Sequence, residues 1–220
     1  MSTYGERYQD AIEDEWLSRL YEEHAEQART EFRQDRLKSY YATHLGIAET
    51  AYSVVSDARV LKSVSVSAAL IRATTASELG IKDLLLKPIV YGLVHSESLA
   101  GAISDLVIGH SAVDRYRDLL VGILKEYGGF DLNTYQRTGS SGFLWGELRQ
   151  NQVTRNRVVH RGEVPTDTDV SVAIGVAQTI LETLFPQVTG RLGFHLHGAT
   201  LCDDPHVSDE IAKIMARASQ

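Results

Sequence analysis

The residues of greatest chemical interest lie between Arg155 and Gly162, where the chain reads RNRVVHRG. If this segment is helical, Asn156 and His160 are one turn apart and share a face. Arg155 lies about 140° round the helix from His160, but its long side chain can bend toward the same pocket. The segment therefore groups a guanidinium, a carboxamide and an imidazole.

These side-chain types suit the cleavage of RNA without a metal ion. The ribose 2′-hydroxyl must lose a proton to attack the adjacent phosphorus, and the 5′-oxygen must gain one to leave. Histidine titrates near neutral pH and can transfer these protons, so we predict this role for His160. Arg155 is expected to stabilise the negative charge on the phosphoryl oxygens, and Asn156 to orient one of these groups. This chemistry needs neither a cofactor nor a metal.

Neighbouring residues of the same predicted helix are candidates for holding the substrate. Gln152 lies one turn before Asn156, while Arg157 and Arg161 add positive charge. From 115 to 161 the chain carries eight Lys or Arg residues against four Asp or Glu residues. The whole chain has a net charge of −7, so a locally positive segment lies on an acidic protein. Such a segment can hold RNA while the remaining surface discourages indiscriminate binding.

Apolar residues at helical spacing predict an all-α fold. The last long helix should begin with a capping box at Thr166 and Asp169, and it is apolar on most sides, which places it in the core. Pro88 and Gly92 predict a break or kink. The predicted helices cover about 4–44 (one or two helices), 45–60, 64–87, 98–108, 113–127, 143–160, 167–185 and 208–218.

Composition indicates a globular, cytoplasmic protein. Hydrophobic residues make up 43% and charged residues 23% of the chain. The single cysteine, Cys202, forms no internal disulfide and anchors no thiolate zinc site. The polar start, Met1–Glu15, lacks the features of a signal peptide. The most apolar stretch, Ile81–Val94, is too short and too charged to span a bilayer, so we expect no membrane association.

The pattern Arg-polar-x-x-x-His, followed by a glycine and an apolar helix, resembles the signature of the HEPN-domain superfamily. The resemblance covers roughly Val64 to Pro186. It implies an up-and-down bundle of about four or five helices, usually dimeric, in which the motifs of two protomers form one cleft. It also implies that Arg155 and His160 are catalytic and that Asn156 supports them. The segment 77–82, SELGIK, resembles the second core helix of such proteins, where Glu78 is expected to face the site.

Many proteins of this superfamily are metal-independent endoribonucleases in toxin–antitoxin or anti-phage systems. The resemblance thus implies a homodimeric endoribonuclease that acts on RNA, with tRNA among the candidate substrates, and that has an antitoxin or defence-system partner. We predict N-terminal amphipathic helices at 1–62, a HEPN-like core at 63–189 and a C-terminal extension at 190–220. One alternative is a non-catalytic interaction module that binds a protein such as a nucleotidyltransferase. Another is a structural protein whose basic helix end is merely solvated.

Several other patterns receive a simpler interpretation. The same Arg–His spacing at Arg19 and His24 is surrounded by glutamates, which would repel a phosphate. Phe143 and Trp145 can stack on bases but more often pack the start of a helix. We interpret the histidines near Asp203 and Asp204 as a surface tail rather than a metal cluster, and the tyrosines of the first helix as a partner surface or a solvated face. These residues are His195, His197 and His206, and Tyr40 and Tyr41.

Overall fold

The computed structural model describes residues 33–93 and 117–204. Helices account for 71% of these residues, which confirms the prediction of an all-α fold. The sheet in this part of the chain is one short antiparallel hairpin, in which Leu196 pairs with Leu201. The predicted helices at 98–108 and 208–218, most of the first predicted helix, and Arg19, His24 and His206 lie outside the described residues.

The described helices follow the predicted order, and a hairpin that was not predicted follows them. The helices are α1 (33–43), α2 (Glu49–Leu61), α3 (Val66–Leu79), α4 (Lys87–Leu93), α5 (Arg117–Ile123), α6 (Leu144–Arg161), α7 (Asp167–Thr179) and α8 (Phe185–Arg191). The strands are β1 (His195–His197) and β2 (Thr200–Cys202). Three π-helical turns extend them: Gly80–Leu86 joins α3 to α4, Leu124–Gly128 follows α5, and Ile180–Leu184 joins α7 to α8.

The continuous helix Asp167–Arg191 lies at the centre of the described structure. It begins with the predicted capping box, in which the Thr166 hydroxyl accepts from the backbone N–H of Asp169 and the Asp169 carboxylate accepts from that of Thr166. It is long and apolar enough to cross a membrane by length and composition, with a mean hydropathy of 1.2. However, 50% of that apolar window is buried inside the protein. Its composition is therefore accounted for by its central position.

One hydrophobic core draws on all three predicted segments of the chain. Tyr41 and Val55 of the N-terminal helices, Leu181 of the central helix and Leu201 of β2 belong to the same buried cluster. The backbone N–H of Leu201 also donates to the Leu45 carbonyl at 2.8 Å, which ties the hairpin to the turn before α2. The described part of the C-terminal extension is thus packed against the helices.

Pro88 does not end the third helix, because the helix adapts to it. A proline has no N–H, so Pro88 cannot donate to the Leu84 carbonyl four residues earlier. The buried Tyr41 hydroxyl donates to that carbonyl at 2.6 Å. The helix therefore passes through a π-helical turn and continues to Leu93, beyond the predicted end near Lys87.

The central helix also accommodates a proline, Pro186, with a π-helical turn and a tyrosine hydroxyl. In its π-helical turn the N–H of Phe185 donates to the Ile180 carbonyl five residues earlier. Pro186 cannot make the next such bond, and the Tyr52 hydroxyl donates to the Leu181 carbonyl at 2.7 Å. The helix therefore continues to Arg191, beyond its predicted end near residue 185.

The π-helical turns Gly80–Leu86 and Ile180–Leu184 pack directly on each other. A Cβ atom at Gly80 would lie 2.7 Å from the Ile180 Cγ2 atom, far inside van der Waals contact. Only glycine permits this approach of the two helices. The contact therefore helps to set how α3 and α7, which pack against each other, are placed.

Candidate functional site

Helix α6 carries the predicted catalytic segment and ends where the sequence indicates. Gly162 takes a left-handed conformation with φ of 66°, which glycine adopts without steric cost, and its N–H donates to the Val158 carbonyl at 3.1 Å. His160 and Arg161 therefore lie in the last helical turn. Cations are stabilised there by the partial negative charge of the helix C-terminus.

One face of α6 holds the helix in the protein. Asn151, Thr154 and Val158 follow each other at helical spacing, and all three are buried. Val158 packs in a small apolar cluster with residues of α2, α3 and α7. The opposite face leaves Asn156 and His160 exposed, so the predicted reactive groups face away from the core.

Arg155 and Asn156 contact each other directly. The Nη1 atom of half-buried Arg155 donates to the Oδ1 atom of Asn156 at 3.0 Å. The carboxamide thus orients the guanidinium. Within the described residues neither Arg155 nor the exposed Arg161 pairs with a carboxylate, and the His160 ring has no hydrogen-bond partner. Two cationic groups and an exposed imidazole therefore share one end of α6.

Arg157 faces a different part of the molecule. It donates to the Thr154 hydroxyl at 3.3 Å, and its Nη1 atom lies 3.7 Å from the Glu163 carboxylate. Hydrogen bonds from Thr166 hold the pKa of Asp169 below its usual value, and the nearby Arg157 charge lowers it further. Arg157 therefore joins the end of α6 to the start of α7, and its charge is partly offset by carboxylates.

The other predicted supporting residues are not joined to the Arg155–Asn156 pair. Glu78 is half-buried in α3 and makes no ion pair with Arg155 or His160 in the described structure. Gln152 is half-buried on α6 and Arg161 is exposed. Among the predicted site residues, Arg155 and Asn156 are in contact, and the exposed His160 ring is accessible to an incoming group.

Exposed apolar residues lie along the outer side of α6 and at its start, which the sequence patterns did not indicate. Val153 is 52% exposed and Val159 is 46% exposed, and they flank Asn156 on the outer side of α6. Phe143, which precedes the helix, is 50% exposed. Apolar groups in this position favour contact with another macromolecule. Trp145, by contrast, is buried, and the Arg117 guanidinium lies over its ring, which makes it a packing residue.

The histidines of the hairpin do not form a metal site with their described neighbours. His195 pairs across the hairpin with Cys202, and His197 is exposed opposite Thr200. No three His, Cys, Asp or Glu side chains come together as metal ligands anywhere in residues 33–93 and 117–204.

The tyrosines of α1 are placed differently from the sequence prediction. Tyr41 has no exposed surface and lies in the core, so its assignment to a surface is wrong. Tyr40 is half-buried and lines a cleft with Arg36, His44 and Tyr91. The spacing of Arg36, Tyr40 and His44, four residues apart on one helix face, was the available signal for this cleft.

The fold and the end of α6 define an all-helical protein with a basic, histidine-bearing helix terminus beside exposed apolar groups. No protein-family model, no curated protein and no solved structure matches the chain.

Proposed function

We propose that this protein is a cytoplasmic, metal-independent endoribonuclease of the HEPN type, with Arg155 and His160 as its catalytic residues. The observation that carries the proposal is the end of α6, where Arg155 and Arg161 lack carboxylate partners in the described structure and His160 is exposed. Unpaired guanidinium groups are suited to bind phosphate. A toxin or anti-phage effector is the role that fits such an activity.

The reaction balances without water or metal. The ribose 2′-oxygen forms a bond to phosphorus while the bond from phosphorus to the 5′-oxygen breaks. A neutral His160 accepts the proton of the 2′-hydroxyl, and a protonated His160 supplies the proton of the leaving 5′-oxygen. The products are a 2′,3′-cyclic phosphate and a 5′-hydroxyl end. Arg155, oriented by Asn156, stabilises the charge on the phosphoryl oxygens.

A homodimer supplies both histidine states at one phosphate. Arg155 and His160 are about 7.5 Å apart along the helix axis and about 140° apart around it. This separation favours a cleft between two α6 helices over a site on one. The exposed Val153 and Val159 provide apolar surface for the pairing of the two helices.

The test compares wild-type protein with His160→Ala on total RNA and on tRNA in the presence of EDTA, with mapping of the cut ends. His197→Ala is the matched control, since His197 is an exposed histidine outside α6. Wild type and the control should cut and leave cyclic-phosphate ends, and His160→Ala should lose at least about 100-fold in rate. Equal cutting by all three proteins would contradict the proposal.

A second candidate function is a non-catalytic interaction module, which the exposed Phe143, Val153 and Val159 favour. A protein partner, such as a nucleotidyltransferase or an antitoxin, would bury these residues. The double variant Val153→Lys, Val159→Lys distinguishes the two candidates. An interaction module loses its partner in this variant and shows no RNA cleavage in any form. An endoribonuclease shows cleavage in the wild type that falls when the variant becomes monomeric.

A further inference from the structure

A polar, aromatic cleft lies between α1 and α4, away from the end of α6. Its volume is about 340 Å³, which is within the range of small-ligand sites. It is lined by a cation, two hydroxyl-bearing side chains and three flat rings. These residues are Arg36, Ser39, Thr43, Tyr40, His44 and Tyr91.

Two of the three rings are stacked, and the third is tilted against them. The ring centroids of Tyr40 and His44 are 4.2 Å apart with an interplanar angle of 14°. Tyr91 lies on Tyr40 at 5.1 Å with an angle of 40°. His44 is exposed, and Tyr40 covers one face of its imidazole, so the stack ends in a ring face that is open to a further flat group.

The His44 ring makes two hydrogen-bond contacts through its Nδ1 atom. Its Nδ1 atom lies 2.8 Å from the Tyr40 carbonyl oxygen, which can only accept a hydrogen bond. The Thr43 hydroxyl lies 3.0 Å from the same atom, and the bond at Nδ1 turns Nε2 away from the helix backbone. The ring is fixed both by stacking and by this bond, which lowers the entropy cost of placing a ligand against it.

The remaining residues of the cleft suit an anion. Arg36 lies on the same face of α1 as Tyr40 and His44, about 12 Å before His44 along the helix axis. The Ser39 and Thr43 side chains lie between them and are exposed. Burial, Tyr91 and Asp83 raise the pKa of Tyr40 to about 12, so its phenol stays a neutral hydrogen-bond donor. The cleft is thus lined by a guanidinium and hydroxyl groups as well as by an open aromatic face.

We infer that this cleft binds a nucleoside monophosphate unit, either free or as part of a single RNA strand. The base stacks on the exposed face of His44, and the phosphate lies beside Arg36 and the hydroxyls of Ser39 and Thr43. Aromatic faces bind bases by stacking, and a guanidinium binds phosphate as a charged fork. The inference does not rest on the proposed ribonuclease activity, because the cleft shares no residue with α6.

The ligand series for the test uses isothermal titration calorimetry on the full chain. Adenosine monophosphate should bind, while adenosine and ribose 5-phosphate should each bind at least about tenfold more weakly, since each lacks one half of the recognition. Hexaadenylate with 2′-O-methyl groups, which resists cleavage through a 2′-hydroxyl, separates the two sources. Stronger binding of this strand than of the monophosphate, weakened by His44→Ala, assigns the cleft to RNA. Stronger binding of the monophosphate assigns it to a free nucleotide.

Variants separate the cleft from general electrostatics. His44→Ala and Arg36→Gln should each weaken binding of adenosine monophosphate by about tenfold or more. Lys38→Gln removes a charge from the same helix at an exposed residue that does not line the cleft, and should leave binding within about twofold. Circular dichroism melts of each variant check that the fold is kept.

Three results would overturn the inference. One is the lack of binding of both the monophosphate and the strand at millimolar concentration. Another is equal binding of adenosine or ribose 5-phosphate. The third is an equal loss in Lys38→Gln and Arg36→Gln. Binding by His160→Ala should match the wild type, so failure here and failure of the ribonuclease proposal are distinguishable.

Discussion

Two regions of this molecule each place an arginine and a histidine on one helix, and they differ in how the histidine is held. On α1 the His44 ring stacks on Tyr40 and its Nδ1 atom is bonded to a backbone carbonyl. On α6 the His160 ring is exposed and has no hydrogen-bond partner among the described residues. His44 is therefore preorganised, while His160 depends on an incoming group for its orientation.

The two regions are recognised by different kinds of evidence. Residue types point to the end of α6, and geometry points to the cleft beside α1. The α6 segment was found because its residue types and spacing resemble a known catalytic motif. The α1 cleft has no such motif and is recognised by its packed aromatic rings and by the contacts that hold the His44 ring. A fixed ring suits binding, while a ring that can exchange protons with solvent and substrate suits proton transfer. We expect the α1 cleft to bind a ligand and the end of α6 to carry out proton transfer.

The largest predicted effect on stability concerns the residue behind the α1 cleft. Tyr41→Phe removes the donor to the Leu84 carbonyl, which Pro88 cannot replace. The buried carbonyl then lacks this partner, at a cost of about 1–3 kcal/mol in the free energy of unfolding. Urea denaturation followed by circular dichroism measures this change.

Tyr40→Phe is the matched control for that variant. Tyr40 lines the cleft and its hydroxyl makes no bond with the described residues, so we expect a change below about 0.5 kcal/mol. Equal losses in the two variants would contradict the view that Tyr41 anchors the cleft while Tyr40 forms its surface.

A smaller effect is expected at the end of α6. Gly162→Ala forces an alanine to φ of 66° and should lower the free energy of unfolding by about 1 kcal/mol. Gly146→Ala, in the same helix and with no atom within 4 Å of the new Cβ, should leave stability unchanged or raise it by up to about 1 kcal/mol. Thermal melts of the two variants test this difference. If Gly162→Ala lowered the free energy of unfolding by more than Tyr41→Phe does, the end of α6 would be anchored more strongly than the α1 cleft.

The smallest predicted effect is a pH dependence at the junction of α6 and α7. The folded-state pKa of Asp169 is lowered from 3.8, chiefly by hydrogen bonds from Thr166. Its carboxylate therefore contributes stability above the unfolded-state pKa, and this contribution is lost as pH falls through the folded-state pKa. Wild type should be more stable than Asp169→Asn at pH 7, and the difference should shrink on acidification to about pH 3. A difference in urea midpoint that stays constant over this range would contradict the assignment.

Local sequence signals predicted much of the fold. Gly162 and the Thr166–Asp169 capping box gave the end of α6 and the start of α7 within a residue or two, because caps are recognised from adjacent positions. The apolar character of α7 predicted its place in the core. The helix ends predicted near residues 87 and 185 were too early, because a tyrosine from another helix satisfies a carbonyl near each proline.

In the candidate sites too, contacts between neighbouring residues were predictable and contacts between distant residues were not. The Arg155–Asn156 contact joins adjacent residues and could be anticipated. The α1 cleft needs Tyr91, which is far from Tyr40 in sequence and reaches it only through the packing of α1 on α4. The valines of α6 read as helix-packing residues, and their exposure depends on which face the rest of the core covers. Long-range contacts of this kind leave no periodic pattern in the chain.

The central position of the helix Asp167–Arg191 has a consequence for synthesis of the protein. The Tyr52 hydroxyl in α2 and the Leu181 carbonyl that accepts its hydrogen bond are 129 residues apart in sequence. The ribosome therefore synthesises α2 well before its partner. At about 5–20 residues per second, this interval lasts roughly 6–26 s. During it α2 and α3 can pair with each other but keep the apolar sides that later meet α7 uncovered. We expect chaperones to bind the nascent chain in that interval.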